Sequence, residues 1–342
     1  MTQITLGGCE PRTLLSHLAL YGLGAILEAA GDDVRLGWSG SGNPRPSAFA
    51  TEVDEVGAAA RVGDHARALS VEGSWTMRNA TLKGTSRGLM SPRLTPFGQD
   101  HEVWERVQRS RRIVLDELTV GQRWLDLRLI AALGEPCYWS FNKKRDPLQD
   151  DGVSRFEMQP RNQGSEFVGS RLRKLANSVA LRQPPEILAG LRGESVVDEI
   201  GNDKPDSRTS TGLAGLGPTD NALAWCALWG ISQFPIAMRI NQTAETSGHL
   251  SHRRDEWFYV PMWRGQWRPA RLRTILASQP LRVFADPQLR ASADVRLPAA
   301  QAWLSSRGVD GVIRFPVQRF GSDNAPERRA MRGEPLSVRA MA

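Results

Sequence analysis

Cysteine, histidine and lysine are scarce in this chain of 342 residues, and each scarcity removes a class of chemistry. Cys9, Cys137 and Cys226 are odd in number, far apart and without a Cys-x-x-Cys pair. Neither a disulfide framework nor a cysteine-based zinc site is supported. Five histidines are present, none in a His-Glu-x-x-His arrangement. His249 and His252 in SGHLSHRRDEW are close together but have no evident third ligand, and a surface loop is the simpler account. No apolar run reaches membrane-spanning length. The opening MTQITLGGCEPR lacks a basic start followed by an apolar core, so a soluble cytoplasmic protein with no membrane partner is expected. A glycine-rich phosphate loop ending in Lys-Ser or Lys-Thr is also missing. Gly22 and Gly24 in YGLGAIL sit inside an apolar helix pattern, where a dinucleotide fingerprint does not belong.

What is abundant is arginine. Basic residues number 44 against 37 acidic ones, for a net charge of +7 and a pI near 9.8, and only five of the 44 are lysine. Arginine suits bidentate phosphate binding, but a GC-rich genome enriches it as well. Distribution says more than the total. Residues 161–182 hold five cations and one acid, 253–273 six and two, and 307–339 seven and four. The rest of the chain is therefore net acidic, and positive charge is concentrated as a binding surface requires.

Periodicity outlines an α+β fold, with strands and helices in no regular βαβ alternation. A strand-rich N-terminal lobe over residues 1–150 and a basic, mixed C-terminal lobe over 151–342 are expected, divided at the Asp146 to Gly152 loop. TLLSHLALYGLGAILEAAG reads as a helix capped by Thr13, stopped at Gly31 and apolar around most of its circumference, hence buried. Val34 to Trp38 and Ala48 to Val53 read as strands, and Ala58 to Leu69 as a helix. Further helices are expected from Asp100 through Leu118, from Gln122 to Leu133, and after Asp220. Trp257 to Trp263 and Trp267 to Leu272 flank Arg264-Gly265-Gln266 like the arms of a β-hairpin. Residues 297–320 read as a helix, a turn at Gly308 and a strand, followed by a loop-like basic tail.

The stretch from Phe156 to Pro184 is the leading candidate for a binding element. Val168, Leu172, Leu175 and Val179 form one apolar stripe, Ser165 is a suitable N-cap, and Pro184 stops the helix. Arg171, Arg173 and Lys174 are assigned to the other faces, while Arg161, Asn162 and Gln163 precede the N-terminus, where free backbone N–H groups favour phosphate. A core stripe with a solvated face has the same look. Tyr138, Trp139 and Phe141 run into Lys143, Lys144 and Arg145, a pattern that stacks bases and holds phosphates, or that ends a core strand in a charged turn. Arg253, Arg254, Arg264 and Arg268 complete the list of candidate nucleic-acid contacts. An acidic group, Asp198, Glu199, Asp203 and Asp206, permits a Mg²⁺-dependent nuclease with His249 or His252 as an alternative, though a solvated loop is simpler. A purely structural role with Trp263 and Trp267 facing a partner protein is a third reading.

Two regions carry a family resemblance. GGCEPRTLLSHLALYGLGAILEAAGDDVRLGWSG, with its Gly8-Cys9-Glu10-Pro11 turn before an apolar helix and a strand, resembles the opening of large-subunit-type proteins of CRISPR type I effectors, especially the I-U or I-G group. ALWGISQFPIAMR and RFPVQRFGSDNAPERRAMRG are similar to the same group. The resemblance implies a non-catalytic subunit of an RNA-guided surveillance complex of the Cascade type, without cofactor or metal. Its implied partners are the guide RNA, target double-stranded DNA, the other complex subunits and a helicase-nuclease. At 342 residues the chain is short for a large subunit, so a backbone-type RNA-binding subunit stays open. No catalytic residues are carried over.

Overall fold

In this computed structural model, residues 1–95, 98, 100–145, 148, 150–157, 166–204, 211–240, 242–320 and 327–338 are described. The first strand, β1 (Thr2–Thr5), leads through Gly7 to Pro11 into α1 (Leu14–Ala29). Every residue from Leu14 to Leu27 is buried, as the unbroken apolar circumference requires. β2 (Val34–Ser39) and β3 (Arg45–Ala50) form a hairpin, and β3 pairs with both β1 and β2 to give the antiparallel order β1-β3-β2. Next comes α2 (Glu55–Ser70), whose N-cap Asp54 accepts a 2.7 Å hydrogen bond from the Gly57 N–H. A two-stranded hairpin, β4 (Asn79–Leu82) with β5 (Thr85–Gly88), precedes α3 (His101–Val120) and α4 (Trp124–Leu133).

A single π-helical turn, Val168–Leu172, opens α5 (Arg173–Ala180), and the stripe of Val168, Leu172, Leu175 and Val179 is fully buried. α6 (Pro184–Arg192) starts with proline at its first position, where the missing N–H costs no helical bond. α7 (Asn221–Gly230) starts at Asp220, whose side chain accepts from the Ala222 and Leu223 N–H groups. Arg182 locks this start to the end of α5. Its guanidinium meets both oxygens of Asp220 at 3.0 Å and both of Glu199 at 2.8 and 2.6 Å.

α1 and α7 are the central helix pair, and they meet at glycines. A Cβ on Gly22 would lie 1.7 Å from the Cys226 carbonyl oxygen, and one on Gly230 would lie 2.1 Å from that of Leu18. Only glycine permits this backbone approach. Around it pack Tyr21, Trp225 and Trp229, none of them measurably exposed. Full burial of such aliphatic and aromatic side chains stabilises by roughly 1.5–3 kcal/mol each. Because α1 lies before the divide expected near residue 150 and α7 after it, the elements on both sides share one apolar core.

The chain continues through the short pair β6 (Ile236–Ala237) and β7 (Glu245–Thr246) to β8 (His249–His252) and β9 (Asp255–Trp263). The expected hairpin arm at Trp267 to Leu272 is instead the entry to α8 (Pro269–Leu276). Pro269 cannot donate to a ladder but fits the first turn of a helix, and Leu272, Ile275 and Leu276 then recur at helical spacing. Trp267 keeps one bridge, exchanging hydrogen bonds of 2.7 and 2.8 Å with Leu36. α9 (Gln279–Ala285), α10 (Pro287–Ala291) and α11 (Leu297–Ser306) lead to β10 (Val309–Phe320), the turn falling at Gly308 with φ +75°.

The tail departs from expectation too. Among its described residues are two strands, β11 (Glu327–Ala330) and β12 (Glu334–Ser337), both paired antiparallel to β10. Together they give a five-stranded sheet, β11-β10-β9-β8 with β12 also on β10. Helices and several small antiparallel sheets thus make a mixed α+β fold. One face of the large sheet, through Phe258 and Phe315, packs on Phe156 and His17 in the helical core. Among the described residues, no helix is long and apolar enough to cross a membrane.

Candidate nucleic-acid interface

The cations expected to line one surface are sorted by the fold into four situations. Arg171 is buried, with 3% of its surface exposed. Its spacing from Val168 and Leu175, three and four residues, puts it on the stripe itself. There its Nη1 donates to the Glu157 carbonyl at 3.3 Å, and Glu157, Glu166 and Glu327 surround it electrostatically. Burial pulls its guanidinium down to about 10 against the opposing pull of Glu157. The placement of Arg171 on a phosphate-facing surface is therefore corrected: it is a core cation. Arg173 is half-buried and ties α5 to β4 through the Thr76 carbonyl at 2.9 Å and Asn79 Oδ1 at 2.8 Å. Lys174 is exposed. Arg161, Asn162 and Gln163, with the proposed cap Ser165, lie outside the described residues.

Arg264 and Arg268 are exposed but paired, with Asp310 at 3.0 Å and Asp33 at 3.0 Å. They flank the far end of β9 from Arg253 and Arg254. At about 3.3 Å per residue the two groups are roughly 30 Å apart along the strand, so they do not form one contact site.

Arg253 and Arg254 occupy the β8–β9 turn, where Arg253 has φ +56°. With Arg319, Arg328, Glu256 and Val317 they line a cleft of about 510 Å³. Strand alternation builds it. Glu256 is in register with Val317, Arg319 lies two residues further along β10, and Arg328 of β11 is in register with Arg319. Among the described residues, four guanidiniums and one carboxylate thus line the cleft. Arg328 is 3.7 Å from Glu256, while Arg253, Arg254 and Arg319 have no ion pair among the described residues. Burial pushes the Glu256 carboxyl up, but the neighbouring His249, Arg328 and Arg155 more than offset it, so Glu256 is held below its usual range. His249, 3.6 Å from Glu256, is itself driven down by burial. Arg319, Arg328 and Arg155 were not singled out in the sequence. The alternation of Val317 and Arg319 was visible, but the return of β11 was not.

A second feature is the loop that follows α4. Tyr138 and Phe141 are about half exposed, at 54% and 48%, and Lys143, Lys144 and Arg145 follow on an exposed turn. Trp139 packs edge-on against Tyr138 at 4.8 Å and donates from Nε1 to the Arg239 carbonyl. The cluster is thus presented to solvent. It is tied to the β6–β7 pair by Ser140 and Thr243, both bonded to Asp151, and by the Arg155 N–H, which donates to Thr246 Oγ1.

The competing sites come apart. Asp203 accepts from the Asp198 N–H, Asp198 accepts from the Gly201 and Thr219 N–H groups, and Glu199 is held by Arg182. His252 is bonded to Asp286 at 3.0 Å. Asp206 lies outside the described residues, and among those described no group of three or more His, Cys, Asp or Glu side chains is arranged to hold a metal ion. Gly84–Gly88, GTSRG, has the Gly-x-Ser-x-Gly spacing of a nucleophile elbow. It forms the β4–β5 hairpin with Ser86 opposite Thr81, not the strand-to-helix turn an elbow needs. Trp263 and Trp267, expected at a protein interface, are 3% and 2% exposed and stacked on each other at 4.8 Å, so they belong to the core. No protein-family model matches the chain, and no curated protein matches it.

Proposed function

We propose that this chain is a non-catalytic nucleic-acid-binding subunit of an RNA-guided CRISPR surveillance complex. The observation that supports it best is the cleft lined, among the described residues, by Arg253, Arg254, Arg319 and Arg328 with the carboxylate of Glu256. Arg253, Arg254 and Arg319, which have no ion pair among the described residues, are ready to replace condensed counterions on a phosphate backbone. The half-exposed Tyr138 and Phe141, followed by Lys143 and Lys144, supply flat apolar surface beside further positive charge. That combination holds single-stranded nucleic acid by stacking and charge without reading its sequence. In this reading phosphates contact the cleft, unpaired bases contact the aromatic loop, and Lys174 adds a peripheral cation. The partners are a guide RNA, the target DNA, the other complex subunits and a helicase-nuclease.

The test is to purify the chain together with the products of its neighbouring genes and to sequence the RNA that accompanies it. One repeat-derived RNA with the wild type, and weakened DNA binding with Arg253→Glu/Arg319→Glu, is the expected result. A chain that purifies alone and free of nucleic acid, with the variant indistinguishable, would overturn the reading.

A further inference from the structure

A second cavity lies away from the basic cleft. It is a pocket of about 1060 Å³ between the end of α1, α2, α4 and α8, at the upper end of the range for small-ligand sites. Three features of its lining point to one kind of ligand. The first is His65, whose ring nitrogens are both buried and, among the described residues, both without a hydrogen-bond partner. Burial, with Arg123 nearby, drives its pKa down to about 3, so the ring is neutral and offers one donor and one acceptor. Its core-side neighbours are the Trp229 and Trp225 rings, at 4.4 and 5.5 Å. Indole carries a donor only, and neither indole N–H has a partner. Unmet buried groups of this kind are costly, and His65 is among the residues that line the pocket.

The second feature is a pair of guanidiniums on one carboxylate, in a lining where Arg61, Arg123, Arg128 and Arg273 stand against Glu28, Asp64 and Asp126. Arg128 and Arg273 share the one carboxylate of Glu28, at 3.5 and 3.4 Å. The Nε of Arg128 is buried without a partner. Beyond its own burial, the Arg273 charge pulls the Arg128 guanidinium further down. Two guanidiniums on one carboxylate leave room for a second anion. The third feature is Trp124, 55% exposed on the pocket rim. It lies four residues before Arg128 and so shares a face of α4 with it.

We propose that this pocket binds a nucleotide, with its planar base against Trp124 and His65 and its phosphate on the Arg128–Arg273 pair. A base edge carries both donors and acceptors, which His65 needs, and the phosphate supplies the missing negative charge. The nucleotide is either a free mononucleotide or an unstacked residue of a bound strand. The strand form rests on the function proposed above; the free form does not.

The experiment titrates the full chain with AMP, GMP, CMP and UMP, and with adenosine and inorganic phosphate as half-ligands, by calorimetry and tryptophan fluorescence. At least one monophosphate is expected to bind saturably, with each half-ligand about tenfold weaker or more. Arg128→Gln is expected to weaken binding about tenfold. Glu28→Gln removes the competing carboxylate and is expected to tighten it, which loss of folding would not do. Should Arg128→Gln fail to fold, Trp124→Ala, at an exposed position, tests the base contact instead. Absence of saturable binding by folded protein, or Glu28→Gln weakening binding as Arg128→Gln does, overturns the proposal. Displacement of a labelled single strand by the mononucleotide identifies the strand as source; no displacement identifies the free nucleotide. Arg253→Glu/Arg319→Glu separates the two readings, because it removes strand binding at the cleft and leaves mononucleotide binding intact.

Discussion

Replacing Arg171 with glutamine tests whether this arginine serves the core or a ligand. Its guanidinium and that of Arg93, the latter 3.8 Å away, are the cations that balance Glu157, which is itself fully buried. Removing one leaves a carboxylate under-compensated in the interior, a loss of about 3–5 kcal/mol for pairs of this kind. The effect has a pH signature. Burial already raises the Glu157 pKa above 4.5, opposed by Arg93 and Arg171. Loss of Arg171 raises it further. A carboxyl with its folded pKa above the unfolded one favours the folded state most below the unfolded value, and that advantage is lost as pH rises through the folded value. The deficit of Arg171→Gln is therefore larger at about pH 8 than at about pH 5. Urea unfolding of both proteins at the two pH values measures it, with midpoints converging toward acid. Equal stability at both pH values together with a loss of nucleic-acid affinity would refute the reasoning and return Arg171 to the surface.

Gly22→Ala should be severely destabilising, by about 3 kcal/mol or more, because the added carbon meets backbone that cannot rotate away. Gly215→Ala, with nothing within 4 Å of its Cβ, is the matched control in a thermal melt. Tyr138→Ala/Phe141→Ala should leave the circular dichroism unchanged and weaken single-strand binding by about 1–3 kcal/mol for each stacked base, read by fluorescence anisotropy. His17 is buried with its pKa lowered to about 4, against 6.5 when unfolded. The unfolded chain thus takes up the proton first, so stability is full above about pH 6.5 and falls toward pH 4 by about 3 kcal/mol from this residue. A fall just as steep in His17→Asn would refute that assignment.

Much of the helical framework was legible because its signals are local. Thr13, Asp100 and Asp220 stand at the helix starts expected of them, and the unbroken apolar circumference of α1 announced its burial. The failures share a cause: each depended on a partner distant in sequence or on a finer reading of period. Trp267 to Leu272 follows the turn signal Arg264-Gly265-Gln266 as a second hairpin arm would, but Pro269 closes that option and opens a helix. The tail looked irregular because its strands gain order only from β10. Arg171 carried a charge that suggested solvent, although its spacing from Val168 and Leu175 already placed it inward. Arg319 and Arg328 lie in a stretch whose charge was noted, yet their meeting across one register position is a tertiary fact. Of the candidate site, then, the turn cations Arg253 and Arg254 and the loop of Lys143 and Lys144 were readable, and the cleft that Arg253 and Arg254 help to form was not.

The most direct measurement is the salt dependence of single-strand binding, by anisotropy of a labelled oligonucleotide, for wild type and Arg253→Glu/Arg319→Glu. Three cleft arginines without ion-pair partners among the described residues, at about 0.7 each, predict a log–log slope near −2 for the wild type, and a slope flatter by more than one for the variant. Equal slopes in the two proteins, or no binding by the wild type at low salt, would contradict the account.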